Sequence, residues 1–564
     1  MPKFTFLLTA LIATSLIPSP LEGQGGAALA AEGEGTAAPA AADAVAPSPN
    51  PLPQGERAIG AEADAILAAA YPADGPGAAA IVTRHGQPVY TGARGISATG
   101  QPLTAQSVFG LGSITKQFTA ALVLQLAAEG KLSLDDPLGK FFPDWPQPGA
   151  TATVRQLLNH TSGIQDFSKV PGWINQNRDR DVTTQELLAI TQKLGSKAAP
   201  GESWEYNNGG YVILGAIVEQ VTGKPWFAAI MSRIAEPLGL ASLRGTSAES
   251  GGSKLLTAAS AAGGLEATVG DLGKWADALH HGKVVTPALY AEMTAPAKLT
   301  GGKTAPYGFA LRLRYLRGHK VFEHGGAGQG IDADSAYLPD DDVFVAVLGN
   351  SNQLQTDTSV TLRRLGALAI GAPLPMFSPA TVDPQAVAPL IGEYSGEGRK
   401  VRFFERDGTW IIGAGPDEMK LVAAGDGKFY SASTGLAWIE FSRDANGGVV
   451  ADLYDPQDAK PERYVRVGDI PADAEVRVPA EVLQSYTGDY QTETLAVTVS
   501  LTDKGKLVMA PKGQEPIGLR PISQTEFMTD DGRMKVAFFA DGGAVNRFTM
   551  YRGARELHGT RIGK

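Results

Sequence analysis

Near its C-terminal end the chain copies itself. Leu390-Ile-Gly392-Glu-Tyr394 returns as Tyr486-Thr-Gly488-Asp-Tyr490, 96 positions later. Trp438-Ile-Glu-Phe441 with Asn446-Gly-Gly448 returns as Ala537-Phe-Phe539 with Asp541-Gly-Gly543 at nearly the same spacing. Two similar units of roughly 90 residues are therefore expected. Within each, short alternating runs are cut by glycine turns, the pattern of antiparallel β structure. The expectation is two small all-β domains, lipocalin-like barrels, at 385–469 and 478–564. Neither carries a catalytic constellation, and each reads as a packing or wall-binding accessory.

The texture changes around Pro373-Leu-Pro-Met-Phe-Ser-Pro379, and chemistry has to lie upstream. Ala78–Gly86 and Gln87–Thr91 read as a hairpin, and strand-like segments recur near Phe309–Leu316, Ser335–Leu338 and Val343–Leu348. Between them helical stretches dominate. Strands at both ends with helices between predict one sheet assembled from distant pieces, with a helical insert. This domain is placed at 57–372. Before it, residues 31–56 are an Ala/Pro-rich disordered linker. Residues 1–30 read as a signal peptide: Lys3, an apolar run from Phe4 to Ile17, then Ala28-Leu29-Ala30 as a cleavage site. The mature protein is expected to be exported, periplasmic or secreted, without stable membrane insertion.

Composition removes several functions. With no cysteine among 564 residues there is no thiol nucleophile, disulfide or thiolate metal site. A net charge of −10 argues against a nucleic-acid partner. Adjacent His280 and His281 read as a solvated surface pair rather than metal ligands, and no metal or cofactor is expected.

Three motifs remain. Gly112-Ser113-Ile-Thr-Lys116 opens an amphipathic helix carrying Phe118, Leu122 and Leu126, with Gly130 as its stop. A spacing of three puts the serine and lysine on one helix face. A serine hydroxyl needs a neighbouring base, and lysine is one only when burial or a nearby cation lowers its pKa. Tyr206-Asn207-Asn208 follows, before a helix ending at Gly223. A tyrosine hydroxyl can relay a proton, and an asparagine amide can bind a substrate amide. Finally, the glycines of His324-Gly325-Gly326-Ala327 let a substrate backbone lie along a strand edge, with a backbone N–H free for an oxyanion hole.

In the order Ser-x-x-Lys, Tyr-x-Asn, His-x-Gly, these motifs resemble the serine β-lactamase and penicillin-binding-protein superfamily. The resemblance is to the branch of class C β-lactamases, D-aminopeptidases and related esterases. Leu157-Leu-Asn-His-Thr-Ser-Gly-Ile164, Ala262-Gly-Gly-Leu265 and Asp271 strengthen it, over about residues 57–370. It implies an α/β (α+β) hydrolase domain with an antiparallel sheet flanked by helices. Ser113 would form an acyl-enzyme, Lys116 take its proton, and Tyr206 protonate the leaving group. Asn208, His324, Gly325 and Gly326 would bind substrate, the N–H groups of Ser113 and Ala327 would form the oxyanion hole, and His160 would be structural. Many β-lactamases and carboxypeptidases carry Lys-Thr-Gly where this chain has His324-Gly-Gly. A mostly neutral histidine grips a substrate carboxylate less firmly. The leading expectation is thus a hydrolase of small peptides, amides or esters, with cell-wall-derived D-amino-acid peptides as first candidates. The alternatives are an esterase, a weak β-lactamase or DD-carboxypeptidase, and, in another class, a penicillin-reactive binding or sensing protein. The oligomeric state is open.

Overall fold

The computed structural model describes residues 54–562, except 171, 178–179, 181, 247–257, 407, 415–417, 471–475, 493–495, 531–533, 542–543 and 553–554. The expected signal peptide and nearly all of the expected linker lie outside the described residues. Residues 54–56, placed in that linker from sequence, already belong to helix α1 (Gln54–Ala70).

The apolar strands at the two ends of the catalytic domain meet in one antiparallel sheet. Its strands are β1 (Ala78–Arg84), β2 (Gln87–Arg94), β3 (Arg312–Leu316), β4 (His319–Gly328), β5 (Ile331–Leu338) and β6 (Val343–Gly349), in the order β2-β1-β6-β5-β4-β3. The central strands are apolar on both faces because both are covered. Ala79 and Ile81 of β1, with Ala346 and Leu348 of β6, face one core; Ala80 and Val82, with Val345 and Val347, face another. The first core holds α2 (Thr115–Ala128), α3 (Asn208–Thr222) and α4 (Val269–His280); the second holds α1 and α5 (Thr358–Ala369). The sheet's first face is therefore roofed by the helical insert, and the motifs sit where that insert meets β4.

His280, expected to be solvated, is not. Its ring stacks on Tyr337 at 3.8 Å and bonds the Tyr290 hydroxyl, and burial drives its pKa down to about 3. The end of α4 turns one histidine inward, while His281 meets Asp277 and Asp342 at the surface.

The tail forms two closed eight-stranded antiparallel barrels, spanning Gly392 to Gly468 and Gly488 to Ile562. Eight strands leave an interior just wide enough for side chains. Tyr394, Phe403, Phe429 and Tyr464 fill the first barrel; Tyr490, Phe527, Phe538 and Phe548 fill the second. The repeat seen in sequence marks one device used twice. Tyr394 donates to the Leu390 carbonyl and Tyr490 to the Tyr486 carbonyl. Beside them, Arg466 and Arg561 lie across Gly392 and Gly488, where a Cβ would sit only 2.6 and 2.7 Å from the guanidinium.

The first barrel is fused to the hydrolase domain. Leu436 and Trp438 share a core with Leu316 and Val321. The β3–β4 turn, Arg317-Gly318, has both residues at positive φ, as a two-residue hairpin of this twist requires. Its two N–H groups donate to Pro456 and Gln457 of the barrel. The second barrel meets the first through Arg520, which donates to Glu418 at 2.8 Å.

Candidate active site

Ser113 lies in the 3₁₀ turn Gly112–Ile114 that leads into α2. That helix is buried nearly all round, which fixes the turn. One turn along, Lys116 is completely buried. Its Nζ is 2.9 Å from Ser113 Oγ, 2.9 Å from Asn208 Oδ1 and 2.6 Å from the Ala262 carbonyl oxygen. The rings of Tyr206 and Tyr211 stand 5.0 and 5.5 Å away. Burial lowers the lysine pKa to about 7, against the pull of Asp166 and with help from Arg312. A neutral amine has two N–H donors and one lone pair. Two of its three neighbours only accept, so the third position suits a serine O–H donating into the lone pair. That is the contact a base needs to take the serine proton.

Asn208 opens α3, and Asp166 anchors that end by accepting from the N–H of Asn208 at 2.8 Å. The Asn208 amide is engaged at both ends, with Lys116 on Oδ1 and Ser168 Oγ accepting from Nδ2 at 3.0 Å. One Nδ2 hydrogen is left over. Tyr206 precedes it, its carbonyl held by Lys169, which also pairs with Glu205. The Tyr206 hydroxyl is buried and makes no well-formed hydrogen bond. Burial raises its pKa well above the usual value, and the adjacent Ser113 hydroxyl works in the other direction. A neutral phenol beside the nucleophile is suited to give a proton to a departing group.

Strand β4 passes so close to the Ser113 turn that no side chain fits between them. A Cβ on Gly326 would lie 2.0 Å from the Leu111 carbonyl oxygen and 3.0 Å from the Ser113 nitrogen; one on Gly112 would lie 2.9 Å from the Ala327 nitrogen. The strand segment and the turn that carry the two backbone N–H groups named for the oxyanion hole are thus packed directly against each other. The His324 ring is buried, with Tyr307 Oη 2.9 Å from Nε2 and the Gly325 carbonyl oxygen 2.7 Å from Nδ1. Burial, then Arg312 and Lys116, hold its pKa well below the usual value. What this segment presents to Ser113 is backbone.

Residues 66–369 match the family model described as Beta-lactamase. The chain belongs to the β-lactamase family. Esterase EstB of Burkholderia gladioli is 34% identical over 188 residues, 31% of this chain and 48% of the relative. A D-aminopeptidase of Brucella melitensis is 26% identical over 393 residues, 64% of this chain and 72% of that protein. Among solved structures, the octameric penicillin-binding protein homologue from Pyrococcus abyssi is 25% identical at a TM-score of 0.50, covering 73% of this chain and all but 1% of that one. The matched stretch spans about half the length of the esterase.

Within this β-lactamase-family site, sequence reasoning missed four participants. The Ala262 carbonyl on Lys116 was quoted as a motif without a role. Asp166 holds the start of α3 by accepting from the N–H groups of Asn208 and Gly209, while Asn207 caps Gly210. Tyr307 joins two histidines. Arg312, at the start of β3, lowers the pKa of Lys116, Tyr206, His160 and His324, and among the described residues it has no ion-pair partner. No sequence signal separates it from Arg314, two residues on, which pairs with Glu323. Among the described residues, no three acidic or histidine side chains could hold a metal ion, and no helix is long and apolar enough to cross a membrane.

Proposed function

We propose that this protein is an exported serine hydrolase that turns over small amides, peptides or esters through an acyl-enzyme on Ser113. The observation that carries the reading is a fully buried lysine with a pKa near 7 in hydrogen-bond contact with the serine hydroxyl. Neutral Lys116 takes the Ser113 proton as Oγ attacks the substrate carbonyl. The oxyanion is met by the N–H groups of Ser113 and Ala327. As the carbon–leaving-group bond breaks, Tyr206 delivers a proton to the departing amine or alkoxide and recovers one from Lys116. Water then attacks the ester carbonyl and gives its proton to Lys116 through Tyr206, and as the acyl–Oγ bond breaks that proton passes to Ser113 Oγ, releasing the acid. The free Nδ2 hydrogen of Asn208 is the donor for a substrate amide.

A D-amino-acid amide or peptide is the first substrate class, supported by the D-aminopeptidase that matches over 64% of this chain. A second reading has one observation in its favour. Arg312 supplies a fixed positive charge at the site, and it suits a substrate bearing a carboxylate, the group a neutral His324 does not hold. The test is a kinetic panel on the full chain and its Ser113→Ala partner: p-nitrophenyl esters, D- and L-alanine p-nitroanilides, a D-alanyl-D-alanine peptide and nitrocefin. Turnover of the D-anilide that vanishes in Ser113→Ala supports the first class. Preference for the free-carboxylate peptide, lost in Arg312→Ala, supports the second. Full activity in Ser113→Ala on every substrate overturns the nucleophile assignment.

A further inference from the structure

Two walls of the site are joined by a line of four hydrogen bonds. One wall is the Tyr206-Asn207-Asn208 segment; the other is strand β4. The Asn207 N–H donates to His160 Nδ1 at 3.2 Å, His160 Nε2 is 3.1 Å from Tyr307 Oη, Tyr307 Oη is 2.9 Å from His324 Nε2, and His324 Nδ1 is 2.7 Å from the Gly325 carbonyl oxygen. Both ends are backbone groups with one possible role each: an amide N–H only donates and a carbonyl only accepts. From the Gly325 end, His324 must carry its hydrogen on Nδ1, so Nε2 accepts from the Tyr307 hydroxyl. That spends the tyrosine's one hydrogen, so its oxygen accepts from His160 Nε2–H, which leaves Nδ1 as the acceptor Asn207 requires. Working from the Asn207 end gives the same assignment.

We infer that His160, Tyr307 and His324 form a one-way hydrogen-bonded brace that positions the oxyanion strand against the Tyr206 wall. Every donor points from Asn207 toward Gly325, and the line has no place for an extra proton. Its last bond fixes the peptide plane that follows Gly325, one residue before the plane that carries the Ala327 N–H. The surroundings enforce neutrality: both imidazoles are buried, and the charges acting on them are Arg312, Lys169 and the protonated form of Lys116, none of them anionic. The three side chains are positioning residues; none is given a contact with substrate. His160 also takes up a left-handed backbone, φ 64°, which a histidine adopts at a cost that the bonds to its ring offset.

The brace makes a spectroscopic statement that does not depend on turnover; only its kinetic arm rests on the acyl-transfer reading. In the ¹⁵N-histidine-labelled full chain at pH 7, long-range ¹H–¹⁵N spectra of the seven histidines, assigned by single His→Gln variants, are expected to show His160 as the Nε2–H tautomer and His324 as the Nδ1–H tautomer. Ser113→Ala should leave both unchanged, which separates this test from that of the nucleophile. Tyr307→Phe, which keeps the ring but removes the link, should lower kcat by about 100-fold, the scale of a misplaced oxyanion donor, with KM little changed. His324 as the Nε2–H tautomer, or either histidine cationic at pH 7, overturns the proposal. So does a folded Tyr307→Phe with wild-type kcat.

Discussion

The two faces of the central sheet each bury a group that is normally charged in water, and each forces it toward neutrality. On the face under the helical insert, burial lowers Lys116 to about 7. On the face under α5, burial and then the neighbouring Asp332 raise Asp334 to about 7. The rule is the same, since desolvation penalises the charged form whatever its sign. The surroundings differ. Lys116 is packed against a serine hydroxyl, two tyrosine rings and the Ser113 turn. Asp334 shares the Thr358 hydroxyl with Asp332, at 2.8 and 2.9 Å, with no nucleophile or general base beside them among the described residues. One hydroxyl hydrogen cannot serve two carboxylates, so a proton held on Asp334 completes that pair. A perturbed pKa becomes a catalytic candidate only where an open reaction site meets it.

The comparison breaks first at Lys116. Lys116→Ala should lower kcat/KM by about 10²–10⁴-fold, whereas Asp334→Asn should leave kcat essentially unchanged; equal losses in both would erase the distinction. Gly326→Ala comes next. It drives a methyl group toward the Leu111 carbonyl and should cost about 100-fold in kcat, measured on the same ester.

A pH profile sharpens the contrast further. Activity that needs neutral Lys116 should rise with pH through about 7. Arg312 helps to keep that pKa low, so Arg312→Ala should move the acid limb to higher pH, and a limb that does not move would remove Arg312 from the site's electrostatics. The smallest effect on activity belongs to the other face. Asp334 has a folded pKa above its unfolded value of 3.8, so the unfolded chain loses its proton first as pH rises. Its contribution to stability is full below about 4 and is lost as pH rises through about 7. Asp334→Asn, which stays neutral, should therefore add about 4 kcal/mol at pH 8 and progressively less toward pH 4, read as denaturant midpoints at the two pH values.

The parts of this fold that were legible in sequence are those set by local pattern. Gly130 and Gly223 end their helices in left-handed conformations, as their positions after apolar stripes predict. The paired Gly-x-Tyr motifs 96 residues apart mark equivalent strands of two closed barrels. His280 shows the opposite. Nothing in His280-His281-Gly282 says which ring turns inward, because Tyr337, the ring that covers it, arrives from β5.

The chain's residue types and spacings alone determined that a serine and a lysine share one helix face, that strands from both ends of the catalytic domain form one sheet, and that the tail is a repeat. These follow from periodicities of 3.6 and 2 and from turn chemistry within a few residues. Tertiary structure alone decided that Lys116 is stripped of water, that the charge of Arg312 acts on it, and that Tyr307 bonds one histidine 147 residues before it and another 17 after it. Desolvation and hydrogen-bond direction depend on what arrives from distant parts of the chain, and a local pattern carries no record of that.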